Sequence, residues 1–534
     1  MIPSVAPAEL KARLGDGGEI ALLDVREEGS FSARHLLLAS CVPLSRLEFL
    51  IDDLVPRRGT PIVLCDAGEG LAVRAAERLR QFGYADVAVL AGGVDGWAAA
   101  GLLLFSGVNV PSKAFGEVVE TNCHTPHITA DELQRRFAAG ERLVVLDSRP
   151  LDEFRAMSIP GATDTPGAEL VYRVHDLAPA PDTLVVVNCA GRTRSIIGAQ
   201  SLINAGIANK VVALKDGTMG WSLAGLQLDH GRDRVAPPPS PAGLDKARAA
   251  AARVAAKFGV RKIDGATLAA WRRDAEQRTT YLFDVRTPEE YGAGHLAGAV
   301  HAPGGQLVQA TDKYAATRNG QIVLCDDTEV RAVITASWLL QMGWREVYVL
   351  AGGITGQPLI AGPHRARVLG IETAKAESIA PPVLQTMLVR GEAAVIDLEL
   401  SPRHARGHVP GAWFAVRSRL AQAVAKLPPR PQLVLTSADG SLAQLAAAEL
   451  TAAGRKALAL AGGTDAWAAA GLPLETGINR PADDVDDVWR SPYADADPSQ
   501  REAAMRAYLS WEVDLVEQVA RDGSLAFQVT PAGH

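Results

Sequence analysis

The stretch Leu22-Leu23-Asp24-Val25-Arg26-Glu27 (LLDVRE) returns as VLDSRP at 145–150, LFDVRT at 282–287 and VIDLEL at 395–400. Each is an apolar run ending in an aspartate. The steps between the four aspartates, Asp24, Asp147, Asp284 and Asp397, are each the length of a small domain. A second apolar run follows each, ending at Cys65, Cys189, Cys325 and Thr436. The interval from aspartate to run end is the same in the first and third units, one position longer in the second and two shorter in the fourth. A third run ends at Leu90, Leu214, Leu350 and Leu460, and AGGVDGW, KDGTMGW, AGGITGQ or AGGTDAW follows it. Four markers in the same order, four times over, define a quadruplicated chain.

The runs are continuous rather than alternating, as in parallel strands buried on both faces. Between the second and third runs the spacing predicts an amphipathic helix. In the second unit it covers 193–205, with Ile196, Ile197, Ala199, Leu202 and Ile203 on one face, and it stops at Gly206. Gly83, Gly343 and Gly454 take the same place in the other units. The expected fold class is α/β, four tandem doubly wound parallel-sheet domains over 1–112, 120–234, 256–368 and 376–478. A ligand in such a sheet sits beyond the carboxyl ends of the strands. The Pro-rich string VAPPPSPAG (235–243) reads as a linker between two halves of two units each. Residues 479–534 form a partly helical tail, acidic and Pro-containing over 479–498 and helical over 499–520.

Composition narrows the function. Of the 534 residues 48% are apolar and 22% charged, which excludes wholesale disorder. The apolar runs are too short to span a membrane. A net charge of −7 without a basic stripe argues against nucleic acid. Met1, Pro3 and Glu9 do not form a secretory signal. Five cysteines, Cys41, Cys65, Cys123, Cys189 and Cys325, are too few for a disulfide framework and fit a reducing cytoplasm.

The Asp-Val-Arg runs, the strings GHLAGA (294–299) and GHVPGA (407–412), the Cys turn and the Gly-rich ending resemble the rhodanese (sulfurtransferase) family over about four-fifths of the chain. The resemblance implies a cysteine that takes a sulfane sulfur as a persulfide and passes it to cyanide or a thiol. The second turn suits that task. Cys189-Ala190-Gly191-Arg192-Thr193-Arg194-Ser195 joins a strand to a helix N-terminus, so backbone N–H groups from Ala190 to Ser195 can converge on one sulfur or oxyanion. Arg192 and Arg194 are expected to bind an anionic donor such as thiosulfate and, with the helix, to favour the thiolate of Cys189. Catalysis is then double displacement through a covalent intermediate, with no metal or organic cofactor. A protein persulfide stays open as an alternative donor.

The other turns differ. Cys65 is followed by Asp66 and Glu69, and Cys325 by Asp326, Asp327 and Glu329. A charge about 5 Å from a like charge meets roughly 3 kcal/mol of repulsion at an effective dielectric near 20. Cys65 and Cys325 are therefore secondary candidates, either relics or receivers of sulfur from Cys189. Thr436 cannot form a persulfide. Two other readings compete. Degenerate units can act as a non-catalytic binding scaffold, and Cys325-x5-Arg331 matches formally the turn of Cys-dependent phosphatases and arsenate reductases. His35, His295 and His408 are expected to be structural hydrogen-bonders, Trp97, Trp221 and Trp467 core, and Arg155 a surface residue. Cys123, His124 and His127 are not expected to hold a metal.

Overall fold

The computed structural model describes residues 2–428, 432–495 and 497–530; the last four residues of the expected tail lie outside them. Each unit builds a five-stranded parallel sheet, ordered 1-5-4-2-3 by position along the unit. In the second unit that order runs His127–Ile128, Val211–Leu214, Leu184–Asn188, Leu143–Asp147 and Thr163–Asp164. The central strands are buried on both faces, so their sequences are continuously apolar rather than alternating. The helix that follows the fourth strand, Thr193–Ala205 in the second unit, ends at Gly206 with φ +68°, the left-handed cap that its sequence predicts.

The recurring Asp-x-Arg has a structural cause. Asp24, Asp147 and Asp284 are buried at their strand ends, and each binds the arginine two residues on through paired N–H···O bonds. The same guanidinium donates to the carbonyl of Arg34, Met157 or Gly294, closing the following loop. In the fourth unit Glu399 stands at the arginine position, and His404 Nδ1 lies 2.8 Å from Asp397 instead. His35, His295 and His408 are buried, with Nδ1 against the carbonyls of Phe31, Tyr291 and His404. Trp97, Trp221 and Trp467 are buried, and each donates its indole N–H to a carbonyl six residues on.

The units do not pair by sequence halves, as the Pro-rich string suggested. One hydrophobic core runs through the second and third units, from Phe115 and Val187 to Phe283 and Trp338. The first and fourth units meet through Arg417, which grips Glu48 and Glu449. Strand Thr317–Arg318 of the third unit adds antiparallel to Ile20–Asp24 of the first. The string 235–243 is also not wholly linker. Ser240 caps a helix, Pro241–Phe258, whose alanines pack between the second and third units.

The tail touches all four units. Asp486 accepts from Gly29 of the first unit and pairs with Arg419 of the fourth. Helix Pro498–Asp522 lies along helix Val110–Cys123, which leads into the second unit, and Gln528 bonds to Gln341 of the third.

Candidate functional site

Strand register corrects the alignment of the four turns. Asp24, Asp284 and Asp397 lie opposite Cys65, Cys325 and Thr436, but Asp147 lies opposite Asn188. Cys189 is therefore one residue beyond the strand, in the place held by Asp66, Asp326 and Ser437. The backbone agrees. The carbonyls of Asp66, Cys189, Asp326 and Ser437 each accept from an N–H just after the unit's last sheet strand, from Val94, Thr218, Ile354 and Thr464. All four residues also lie seventeen positions before the helix-ending glycine, so the third turn is no longer than the rest.

One residue of offset changes everything for a side chain, because successive residues of a strand face opposite sides. Cys65 and Cys325 belong to the strands Ile62–Cys65 and Gln321–Cys325 and pack in the core with no exposure. Burial, with Asp24 or Asp284 beside them, pushes both thiols well up. Both therefore sit in the core, at the strand end, and not at the position that Cys189 holds in its turn. The Cys-x5-Arg reading falls for the same reason. Arg331 is fully buried and bound to Glu169, Glu290 and Asp327 at 2.9, 2.6 and 2.6 Å, with Asp326 3.8 Å away. It is a lock between the second and third units, not an oxyanion ligand.

The turns also differ in what fills them. In the first, Asp66 accepts from the N–H groups of Gly68 and Ala72, and Glu69 from Ala67. In the third, Asp326 accepts from Thr328, Glu329, Arg331 and Ala332. In the fourth, Glu399 accepts from Ala438, Asp439 from Ser441 and Ser437 from Ala443. Each of these turns carries an internal acceptor for its own helix N-terminus. In the second turn, among the described residues, no oxygen accepts from the N–H of Ala190, Gly191, Arg192, Thr193 or Arg194. Ser195 lies close enough to draw the Cys189 thiol down, and its hydroxyl donates to the Arg192 carbonyl at 2.8 Å. Cys189 is 2% exposed, at the mouth of this cradle.

The two arginines of the turn have carboxylate partners. Arg192 is held by Glu117 at 2.7 Å, by Glu120, and by Asp216 at 3.1 Å, which pins the turn to helix Val110–Cys123. Arg194 pairs with Glu153 at 2.7 Å. Both cations are matched by carboxylates from elsewhere in the chain, so the amides are what the turn has left for an anion. Burial pushes the Cys189 thiol up; Arg194 and the Ser195 hydrogen bonds pull it down, and Glu512 pushes it up again. Burial is the largest of these effects, and the thiol lies above the ordinary cysteine value.

The cover is the tail, whose role at the site the sequence did not reveal. Tyr493 bonds to Thr218 at 2.8 Å and reaches the Ala190 carbonyl at 3.4 Å. Tyr508, Leu509 and Glu512 lie over Gly191, where a Cβ would come within 3.0 Å of Glu512 Oε2. Lys113 binds Glu512 at 2.9 Å and also Tyr508. Arg155 is half-exposed, beside Asp233 and Asp152. Among the described residues no cluster of His, Cys, Asp or Glu could hold a metal, Cys123, His124 and His127 included. No helix is long and apolar enough to cross a membrane.

A family model described as the rhodanese-like domain matches residues 6–100, 129–224, 266–356 and 380–470. The chain belongs to the rhodanese-like family. Over its whole length it is similar to a solved thiosulfate sulfurtransferase from Pseudomonas aeruginosa, at 49% identity and a TM-score of 0.94, with 100% of each chain covered. The Alr3790 protein from Anabaena sp. is 26% identical at a TM-score of 0.19, over 20% of this chain and 93% of its own. The HTH-type transcriptional regulator Rv0324 of Mycobacterium tuberculosis is 38% identical over 104 residues, 20% of this chain and 45% of the regulator. The rhodanese-like chain thus spans less than half of that curated relative.

Proposed function

We propose that the protein is a rhodanese-type sulfurtransferase, with Cys189 as nucleophile and thiosulfate as donor. One observation carries the reading. Of four equivalent turns only the second places a thiol at the cradle position, and its amides are not filled by an internal acceptor. The similarity to a thiosulfate sulfurtransferase supports the choice of donor.

The Cys189 thiolate attacks the outer sulfur of thiosulfate. A sulfur–sulfur bond forms at Sγ, the donor's own sulfur–sulfur bond breaks, and sulfite leaves with the electron pair. Backbone N–H groups of Ala190 to Ser195, at the N-terminus of helix Thr193–Ala205, stabilise the persulfide without reorganising. A thiol or cyanide then attacks the outer sulfur, and Cys189 leaves as thiolate. Arg192 and Arg194 fix the turn rather than grip the donor. The non-catalytic reading applies to the other units, where Asp66, Asp326 and Ser437 stand in for the nucleophile and the folds support the second. Five free cysteines suit a reducing compartment such as the cytoplasm.

The test is intact mass after thiosulfate treatment. The parent should gain one sulfur atom and Cys189→Ser none, and cyanide should then release thiocyanate from the loaded parent only. Retention of sulfur loading in Cys189→Ser would refute the assignment.

A further inference from the structure

Glu512 stands out among the buried charges. Its side chain is 1% exposed, and it comes from the tail, outside all four repeated units. Oε1 is well served, by Lys113 at 2.9 Å, Tyr508 at 3.1 Å and Thr193 Oγ1 at 3.3 Å. Oε2 is buried and has no hydrogen-bond donor. A buried carboxylate oxygen without a donor costs stability. This one faces Gly191, where absence of a side chain makes room for it, and its charge is felt at Cys189. Lys113, itself buried against the rings of Tyr508 and Trp511, supplies the counter-charge.

A carboxylate at the mouth of an anion cradle is a poor neighbour for a dianionic donor. It is a suitable neighbour for a group that brings a proton. We infer that Glu512 is the general base for the acceptor, and that the acceptor is a thiol. This rests on the persulfide reading of Cys189. Oε2 takes the proton of the incoming S–H. The resulting thiolate attacks the outer sulfur of the Cys189 persulfide, which has taken up a proton from solvent after loading; a new sulfur–sulfur bond forms, and the old one breaks with its electron pair going to Cys189 Sγ. The products are the acceptor persulfide, the Cys189 thiolate and a protonated Glu512, which returns its proton to solvent as the product leaves. Charge and atoms balance with no further reagent.

The test separates the half-reactions in the full-length protein. The parent and Glu512→Gln are loaded with thiosulfate, freed of small molecules, and discharged by dithiothreitol or by sulfite, which as a dianion has no proton to surrender. Gln keeps an acceptor for Lys113, Tyr508 and Thr193 but leaves the Lys113 charge unmatched, and any loosening of the tail that follows changes discharge to both nucleophiles alike. At pH 8 discharge to dithiothreitol should fall about 100-fold more than discharge to sulfite, the usual scale for loss of a positioned base. The gap should close as pH rises past the pKa of the free thiol, a dependence that a merely structural residue would not produce. Equal losses with the two nucleophiles, or a gap that pH does not close, would overturn the inference while the persulfide reading stands. Failure of the parent to load sulfur on Cys189 would overturn both.

Discussion

Lys113→Met should lift the tail from Cys189. The Lys113–Glu512 pair spans 2.9 Å, with side chains 5% and 1% exposed. Methionine keeps the apolar stem against Tyr508 and Trp511, so the change removes a charge and little packing. Removing one partner of a buried pair costs about 3–5 kcal/mol, because the other charge is left buried. Undocking of helix Pro498–Asp522 relieves the unmatched charge, so the lower figure is the appropriate one. At about 1.4 kcal/mol per tenfold change, about 3 kcal/mol raises the open population roughly 100-fold. Cys189 is 2% exposed in the closed form, so alkylation by iodoacetamide at low reagent reports that population. The rate must be read at the Cys189 peptide by mass spectrometry, since Cys41 and Cys123 are more accessible. We expect about 100-fold faster modification at Cys189, with unchanged rates at Cys65 and Cys325. Equal Cys189 rates in parent and variant would refute the idea that this ion pair holds the cover closed.

Cys65→Ser and Cys325→Ser should keep sulfur loading, measured by intact mass, while losing about 1–3 kcal/mol of stability in denaturant titration for burying a hydroxyl. Asp326→Asn presents an amide hydrogen where four backbone N–H groups need an acceptor, so it should cost about 1–3 kcal/mol in the same titration and leave loading at Cys189 intact. Because burial holds the Cys189 thiol up, the stopped-flow rate of loading by thiosulfate should rise with pH through a midpoint above that of free cysteine, and Lys113→Met should move that midpoint down. Burial, then Asp147, raises the pKa of Asp164 to about 8 from 3.8. The folded state therefore keeps a proton that the unfolded chain has lost, and its contribution, full below about pH 4, disappears as pH climbs to 8. Asp164→Asn should raise the melting temperature at pH 8.5 and not at pH 4.

The path to the site was partly written in the spacing. The turn Cys189–Ser195 and its helix were legible because strand, small residues and amphipathic run are local and contiguous. The misalignment of Cys65 and Cys325 came from matching residue type rather than place. Counting back seventeen positions from Gly83, Gly206, Gly343 and Gly454 reaches Asp66, Cys189, Asp326 and Ser437. The one extra position between Asp147 and Cys189 carried the same signal. Nothing comparable announced Glu512. It lies far along the chain from Cys189, on a helix that no unit repeats, and its partner Lys113 precedes the second unit.

The amino-acid order by itself determined four parallel-sheet units and one turn with a thiol at a helix N-terminus. Both are short-range properties, fixed by hydrophobic periodicity, glycine conformations and the length of a strand. Packing alone decided which charges the turn feels. Arg192 and Arg194, bare cations along the chain, meet Glu117, Glu120, Asp216 and Glu153 in space, and the tail closes over the sulfur. Electrostatic interaction depends on distance and burial rather than on separation along the chain, so the affinity of this turn for anions and the pKa of its thiol belong to the folded molecule.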